Sequence, residues 1–415
     1  MRPALHFTTT TGWINDPHGI TYRDGRYHCF FQYVPGQTTW DPGCHWGHAV
    51  GTDLLSLREL PVAIAPGEGD DGIWTGCLVT DDDATRVFYT SVTTPDFGIG
   101  RVRVATADAD DWVSWSKGDV VVDAPEGLDL IAFRDPFVRR EGAGWRMFVG
   151  AAMRDGTAAA LSYTSDDLRR WSYDGVVLRR STAEREPVWM GALWECPQFL
   201  NIDGREVMVS SVWDDDVLHY AGYATGRYAG GRFEPDGWGR LTYGAGFYAP
   251  SLFTDADGRA CVIFWMRGVA DEEEGWAGAH SVPYVLGLDG PRLVASVHPD
   301  VIAHRGRAAV DGRVDTSAAD VVWTDGHGGE LTIASDAARV SLRWQDGELT
   351  ISRRSGDDEE VALRGPVFGA VRIVIDGPIL EVSSAAGLLG GAIPAASGGL
   401  RVVADRGGLE VYPLR

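Results

Sequence analysis

A repeat narrows the fold more than any other feature of the chain. Five runs rich in β-branched and aromatic residues, each entered from a Gly- or Asp-containing turn, begin near positions 26, 86, 145, 205 and 259. They are Arg26–Tyr33, Arg86–Val92, Gly144–Gly150, Gly204–Ser211 and Asp257–Trp265. The period is roughly 60 residues, and long helical periodicity is nearly absent. A four-stranded antiparallel unit needs about 40–50 residues, and longer loops bring it to about 60. Glycine, at 53 of 415 residues, is well above the usual level of about 7% and supplies the turns such units need. The expectation is an all-β chain whose residues 1–290 form a five-bladed β-propeller; a generic β-sandwich with coincidental spacing is the alternative.

The phase of the repeat says more than its length. Some ten to twelve residues before each run stands a short element: Asn15-Asp16-Pro17, Trp74-Thr75-Gly76, Arg134-Asp135-Pro136, Glu195-Cys196-Pro197 and Tyr248-Ala249-Pro250. Asp-Pro alone is an ordinary turn signal. Equivalent positions of a propeller repeat are equivalent in space, so recurrence at one phase would bring Asp16, Asp135 and Glu195 to one axial mouth.

After residue 290 the rhythm changes. Residues 291–311, containing Pro, His and Arg, read as a linker. Residues 312–415 then carry alternating hairpins: Arg339–Trp344 and Glu348–Ser352 flank Gln345-Asp346-Gly347, and Val371–Ile375 and Ile379–Val382 flank Asp376-Gly377-Pro378. Period-two alternation around Asp-Gly turns predicts a small C-terminal β-sandwich packed on the propeller.

Lys plus Arg number 37 and Asp plus Glu 59, a net charge of −22. Such a surface repels phosphate backbones and anionic bilayers, so nucleic acid and membrane are poor partners. Met1–His6 has no apolar signal core, and no stretch approaches 18 apolar residues; the expected location is the cytoplasm. Five scattered cysteines without a C-x-x-C pair suggest neither a disulfide framework nor a zinc site. No cluster demands a metal or another cofactor, and the oligomeric state is left open. Sixteen Trp offer flat apolar rings suited to sugars.

Carboxylates converging on a Trp-lined mouth are what glycoside hydrolysis needs. One carboxyl donates a proton to the leaving oxygen, and a second attacks the anomeric carbon or activates water. Their environments must push the two pKa values apart. Asp is short and suits a nucleophile held on a strand; Glu reaches further and suits the acid. The bland alternative is that Asp16 and Asp135 merely cap turns before proline.

The ordered motifs carry a resemblance. The run from His6 to Gly19 containing Trp13-Ile14-Asn15-Asp16-Pro17, then Phe133-Arg134-Asp135-Pro136 and Trp194-Glu195-Cys196-Pro197, resembles glycoside hydrolase family 32, the invertase, inulinase and levanase family. Phe31-Gln32-Tyr33, His45–Ala49, Trp74-Thr75-Gly76, Gly275–Gly278 and the Val371–Val382 region match as well. The resemblance implies a propeller followed by a sandwich, and a retaining double displacement on β-fructofuranosides. It implies Asp16 as nucleophile, Glu195 as general acid and then base, and Asp135 with Arg134 as the grip on ring hydroxyls that stabilises the transition state. Asn15, Gln32, Trp40, Trp74, Thr75 and Trp276 would shape the fructose pocket. Cys196 would either tune the acid or fill buried space. A retaining pair predicts carboxyls of Asp16 and Glu195 about 5–5.5 Å apart.

Departures from the family pattern are Thr9 for proline, His18 and Val34 for asparagines, and Thr75 and Cys77 where serines are common. They spare the carboxylates and bear on leaving-group preference. His18 would either add a titrating donor beside the substrate or satisfy backbone. The expected partner is a small neutral oligosaccharide with a terminal β-fructofuranosyl unit, of sucrose type or a short fructo-oligosaccharide. Alternatives are a fructosyltransferase or fructan exohydrolase on the same scaffold, an inverting arabinofuranosidase-like propeller, and a non-catalytic sugar-binding propeller. The last of these expects a missing carboxylate, and all three are present.

Overall fold

The structure, a computed structural model, describes every residue except 337, 356–357 and 395–397, together with all side chains but those of 354, 355, 358 and 359. It is all-β: among the described residues, helix is confined to Pro299–Ala303. Among the described residues no helix is long and apolar enough to cross a membrane.

Five antiparallel meanders follow one another. The first runs through Gly12–Arg23, Arg26–Val34, His45–Gly51 and Arg58–Ile64, each strand paired with the next. The second begins at Gly72–Thr80, the third at Leu130–Glu141, the fourth at Leu193–Ile202 and the fifth at Phe247–Thr254. The fifth contains an additional strand, Trp276–His280, which pairs in parallel with the opening of the first meander through Gly12 and Trp276. Tight turns explain the registers. Asp24-Gly25 and Asp203-Gly204 each place two residues at positive φ between paired strands, the backbone that a two-residue hairpin with right-handed twist requires.

Burial grades across each meander. The second strands are buried on both faces, as Arg26–Val34 and Thr85–Thr93 show. This is why they read as unbroken apolar runs and not as alternation. The outer strands of the first and third meanders, Arg58–Ile64 and Ser172–Ser181, are less buried than the second strands.

Two six-stranded sheets make up the C-terminal part. Val321, Trp323, Ile373 and Val382 from one and Leu331, Leu342, Trp344 and Val402 from the other belong to a single apolar core. One strand of the first sheet, Thr242–Tyr243, comes from the loop between the fourth and fifth meanders and pairs with Leu388 and Leu389. The stretch 291–311 is not simply a linker. Arg292–Val297 is the outer strand of the fifth meander, paired with Tyr284–Asp289 and burying Leu293, Ala295 and Val297. Its i, i+2 alternation is only six residues long and stands directly behind Gly290-Pro291, which read as a terminator. Pro299–Ala303 follows as a short helix capped by His298.

A buried ionic cluster ties three distant parts of the chain together. Asp376 accepts the amides of Ala4, Leu5 and His6 at 2.8, 2.7 and 3.0 Å and His6 Nδ1 at 2.9 Å. Glu381 Oε1 takes His6 Nε2 at 2.7 Å and the Val282 amide at 3.0 Å, while Tyr284 donates its hydroxyl to the other oxygen. Burial by itself would push the imidazole down. Hydrogen bonds and charges from Asp376 and Glu381 outweigh it, and His6 is raised to about 9. An imidazolium thus sits between two carboxylates.

Because the folded pKa of His6 lies above its unfolded value of about 6.5, the cluster's contribution is complete below that pH and is lost as pH rises through about 9. Its size is of the order of 3 kcal/mol. Thermal unfolding followed from pH 6.5 to 10 should therefore show a steeper loss for the wild type than for His6→Gln, which starts less stable. Parallel profiles for the two proteins would refute the ion cluster.

Candidate active site

At the same point in the first strand of every meander, the ladder to the second strand slips. The shifts lie between Ile14 and Pro17, Trp74 and Gly76, Arg134 and Phe137, Glu195 and Gln198, and Tyr248 and Ser251. Four of the five irregularities hold a proline, which has no N–H to leave unpaired. Bulges of this kind re-aim side chains. Asp135, Cys196 and Ala249 adopt φ of 66°, 50° and 46°, a backbone that costs a non-glycine residue roughly 1–2 kcal/mol. The neighbouring meander holds each one: the Asp135 amide donates to Thr90 Oγ1 at 2.8 Å, Cys196 to Asp135 Oδ2 at 2.9 Å, and Ala249 to Ser211 Oγ at 3.1 Å.

The re-aimed side chains share one cavity of about 620 Å³. Asp16, Asp135 and Glu195 all line it, with Asn15, Gln32 and Arg134. Asp16 Oδ2 accepts Thr75 Oγ1 at 2.6 Å, and its Oδ1 accepts Asn15 Nδ2 at 3.0 Å. Gln32 links Asn15 and Thr75 at 3.1 and 2.5 Å, so the groups around Asp16 orient one another. Glu195 Oε1 takes two donors from Arg134, at 3.1 and 2.9 Å, and its Oε2 takes the Tyr248 hydroxyl at 2.7 Å. Arg134 lies 5.8 and 5.9 Å from the rings of Trp74 and Trp213.

Three carboxyls in so dry a place cannot all ionise freely. Burial, then the charge of Glu195, raises Asp16 to about 6 against the Thr75, Asn15 and Cys196 donors. Burial and the charges of Glu195 and Asp16 raise Asp135 further, to about 8, against Arg134 and the Cys196 amide. Near neutral pH the site carries a proton, and Asp135 is its principal holder.

The structure does not treat all the expected residues alike. Trp40 and Trp74 line the cavity, their rings 6.0 Å apart. Thr75 stands behind Asp16 as its hydrogen-bond donor. Cys196 is buried with its sulfur 3.6 Å from Asp16 Oδ2 and 3.8 Å from Asp135 Oδ2, so it touches the aspartates and not the Glu195 carboxyl. Burial and those charges hold its thiol well above the usual range. His18 packs on Trp46 with ring centres 3.9 Å apart and donates Nδ1–H to the Asp16 carbonyl at 3.1 Å; burial pushes it down to about 3. It is a neutral backbone partner outside the cavity wall. Trp276 is a correction: it is fully buried and not part of the cavity wall, its N–H donates to Glu274 at 3.2 Å, and Arg2 lies 4.9 Å over its ring. The strand Trp276–His280 runs against Gly12 and Trp13, which turns Trp276 into the apolar core.

Other wall residues were not foreseen. Tyr248 stood at the phase of Glu195 and could have been read from it. Trp265 lies midway along the second strand of the fifth meander, Ala260–Asp271, and Trp213 with Leu218 brackets a hairpin outside the repeat phase. Trp13 Nε1, Trp265 Nε1 and Asn15 Oδ1 are buried without a partner among the described residues. A ligand with several hydroxyls can supply those partners. Elsewhere, Asp255, Cys261 and His298 bring ligand-capable atoms within 4.8 Å of one another. Asp255 is already engaged there by Arg259 Nε at 2.6 Å and His298 at 2.9 Å, so a cation would have to displace a guanidinium.

Comparison with known proteins agrees with this geometry. Residues 6–296 match the family model for the glycosyl hydrolases family 32 N-terminal domain. A sucrose-6-phosphate hydrolase of Zymomonas mobilis is 32% identical over 316 residues, covering 70% of this chain and 61% of the relative. A raffinose invertase of Escherichia coli is 32% identical over 300 residues, covering 68% and 61%. The chain thus spans about three-fifths of the length of these relatives. Among solved structures, the family 32 β-fructofuranosidase of Bombyx mori superposes with a TM-score of 0.84 at 25% identity, over 100% of this chain and 94% of the other.

The raised pKa of Asp135 has a cost that can be measured. The folded protein binds a proton there that the unfolded chain releases at about pH 4, so stability falls as pH rises from about 4 through about 8. Asp135→Asn keeps an acceptor for the Cys196 amide and removes the charge. It should be more stable than wild type by at least ~1 kcal/mol at pH 8, with the advantage vanishing towards pH 4. Equal stability of the two proteins at both pH values would contradict the proton on Asp135.

Proposed function

The chain belongs to family 32 of the glycosyl hydrolases, and on that footing we propose that it is a retaining β-fructofuranosidase. The observation that carries the reading is that Asp16 and Glu195, distant in sequence, line one Trp-walled cavity together with Asp135, whose carboxyl holds the amide of Cys196 beside Glu195. As scaffold we propose a closed five-bladed propeller built from the five meanders, running to Val297 and sealed where Trp276 pairs with Gly12. Residues 298–311 serve as the joint and 312–415 as a two-sheet sandwich, a division supported by their separate apolar core.

In this reading a terminal fructosyl unit occupies the cavity floor. For Glu195 to act as an acid, Arg134 must release it and the proton held on Asp135 must pass to it; the ring hydroxyls offer the guanidinium alternative acceptors, and Asp135 is left as a carboxylate facing the sugar. The Asp16 carboxylate then attacks the anomeric carbon as the bond to the leaving oxygen breaks, and the Glu195 proton passes to that oxygen. In the second half Glu195 takes a proton from water, the hydroxide oxygen bonds to the anomeric carbon, and Asp16 leaves as carboxylate. Asp135, together with Arg134, binds ring hydroxyls most strongly where positive charge develops. Asn15 and Gln32 orient Asp16, Thr75 donates to it, and Trp40 and Trp74 wall the pocket. The proposed substrates are sucrose-type sugars and short neutral fructo-oligosaccharides. Relatives in the family include an invertase, and the Bombyx mori enzyme has been solved with sucrose.

Asp16→Ala, Asp135→Ala and Glu195→Ala should each lower kcat on sucrose by at least about a thousandfold while leaving the fold intact by circular dichroism. Proton NMR of the first fructose anomer released should show retention. Near-normal turnover in any of the three variants would remove that residue from the mechanism, and release of the inverted anomer would exclude the covalent route.

A further inference from the structure

The cavity has a dry floor and an exposed rim, and its charges are divided unevenly between them. The three carboxyls and Asn15 lie at the floor, whereas Trp40 and Ile131 at the rim are 49% and 41% exposed. If the fructosyl unit binds the floor, as the reading above has it, its leaving group must rest against the rim. There the wall is apolar, formed by Trp40, Phe97, Ile131 and Leu218, apart from one charged residue, Asp216.

Asp216 belongs to a tight hairpin. Asp214 pairs with Val217, so Asp215 and Asp216 are the two central residues of the turn, at φ 48° and 59°. Asn-Gly is the ordinary solution for such a turn. Asp-Asp keeps the backbone and adds two negative charges beside Asp214. None of the three is ion-paired among the described residues. Leu218 and His219, just beyond the turn, are pinned through their carbonyls by Arg267 at 2.7 and 3.4 Å, which fixes the hairpin against the cavity. Arg267 spends its charge there and on the Tyr248 ring, 4.8 Å away, and does not line the cavity. Arg134 is the only cation among the described lining residues, and Glu195 occupies it. A dianion at the rim therefore meets Asp216 with no cation to offset it.

We propose that the Asp215-Asp216 turn is a charge filter at the leaving-group end of the cavity, admitting neutral sugars and rejecting phosphorylated ones. The proposal rests on the fructosidase reading and adds a specificity-determining residue to it. It separates this chain from those relatives whose name specifies a phosphorylated donor.

The test compares kcat/KM for sucrose and for sucrose phosphorylated on its glucosyl unit, in the full-length protein. Wild type should favour the neutral sugar by about tenfold or more at low ionic strength, and the ratio should shrink as salt screens the turn. Asp216→Asn and Asp216→Gly, both at ease with positive φ, should each narrow the ratio by about threefold or more. Asp215→Asn, on the same turn but outside the cavity wall, should narrow it less. A ratio unmoved in both Asp216 variants while sucrose is still cleaved overturns the filter alone, as does a wild-type preference for the phosphorylated sugar. Absence of turnover on either sugar overturns the reading of the site and the filter with it.

Discussion

The repeated bulge in the first strand of each meander is the constraint on which the site depends. An unbroken strand would point its side chains alternately to either face. One slip in the ladder, set by Pro17, Pro136, Pro197 and Pro250, turns a pair of adjacent residues towards a common centre instead. In the last three meanders the slip also leaves a backbone amide in a strained conformation, and the preceding meander supplies the acceptor. Thr90, Asp135 and Ser211 are therefore struts between neighbours as well as local residues. Asp135 does both jobs: one carboxylate oxygen fastens the Cys196 bulge while the group faces the cavity. The site and the contact between units are the same interaction seen from two sides.

Gathering acidic groups in this way is unfavourable, and the surroundings answer it unequally. Asp16 is cradled by neutral donors, Thr75 and Asn15, and its pKa rises less than that of Asp135. Asp135 has the charges of both other carboxyls beside it. Glu195 has a guanidinium and a phenol. Three chemically similar groups are thus given three different environments, the condition under which one site can hold both an acid and an ionised partner.

Much of this could be read from the amino-acid sequence because it is periodic. Five apolar second strands are buried on both faces, and five turn elements at one phase precede them; a period of that length leaves few architectures. What could not be read is what breaks the period. Trp276 follows a motif-like Gly, but only its parallel pairing beside Gly12 decides that the ring turns inward. Arg292–Val297 hides behind a Gly-Pro pair. The hairpin from Trp213 to Leu218 lies just past the end of the run that carries the repeat, and only the pairing of Trp213 with Leu193 brings it beside Glu195. The pairing of His6 with Asp376 and Glu381 joins residues some 370 positions apart, and no local pattern announces a partner at that distance.

That last pairing bears on how such a chain is made. Asp376 receives the backbone of Ala4, Leu5 and His6, and Gly12 lies beside Trp276. Residues Ala4 to His6 therefore have their hydrogen-bond partners some 370 positions later in the chain. Meanders two to four can close on local contacts as they emerge, whereas this segment must wait until those further residues have been added. At roughly 5–20 residues per second, that is tens of seconds of exposure. The open edge at Gly12 and Trp13 is then the place where a chaperone, or a neighbouring nascent chain offering a strand edge, competes with the native partner.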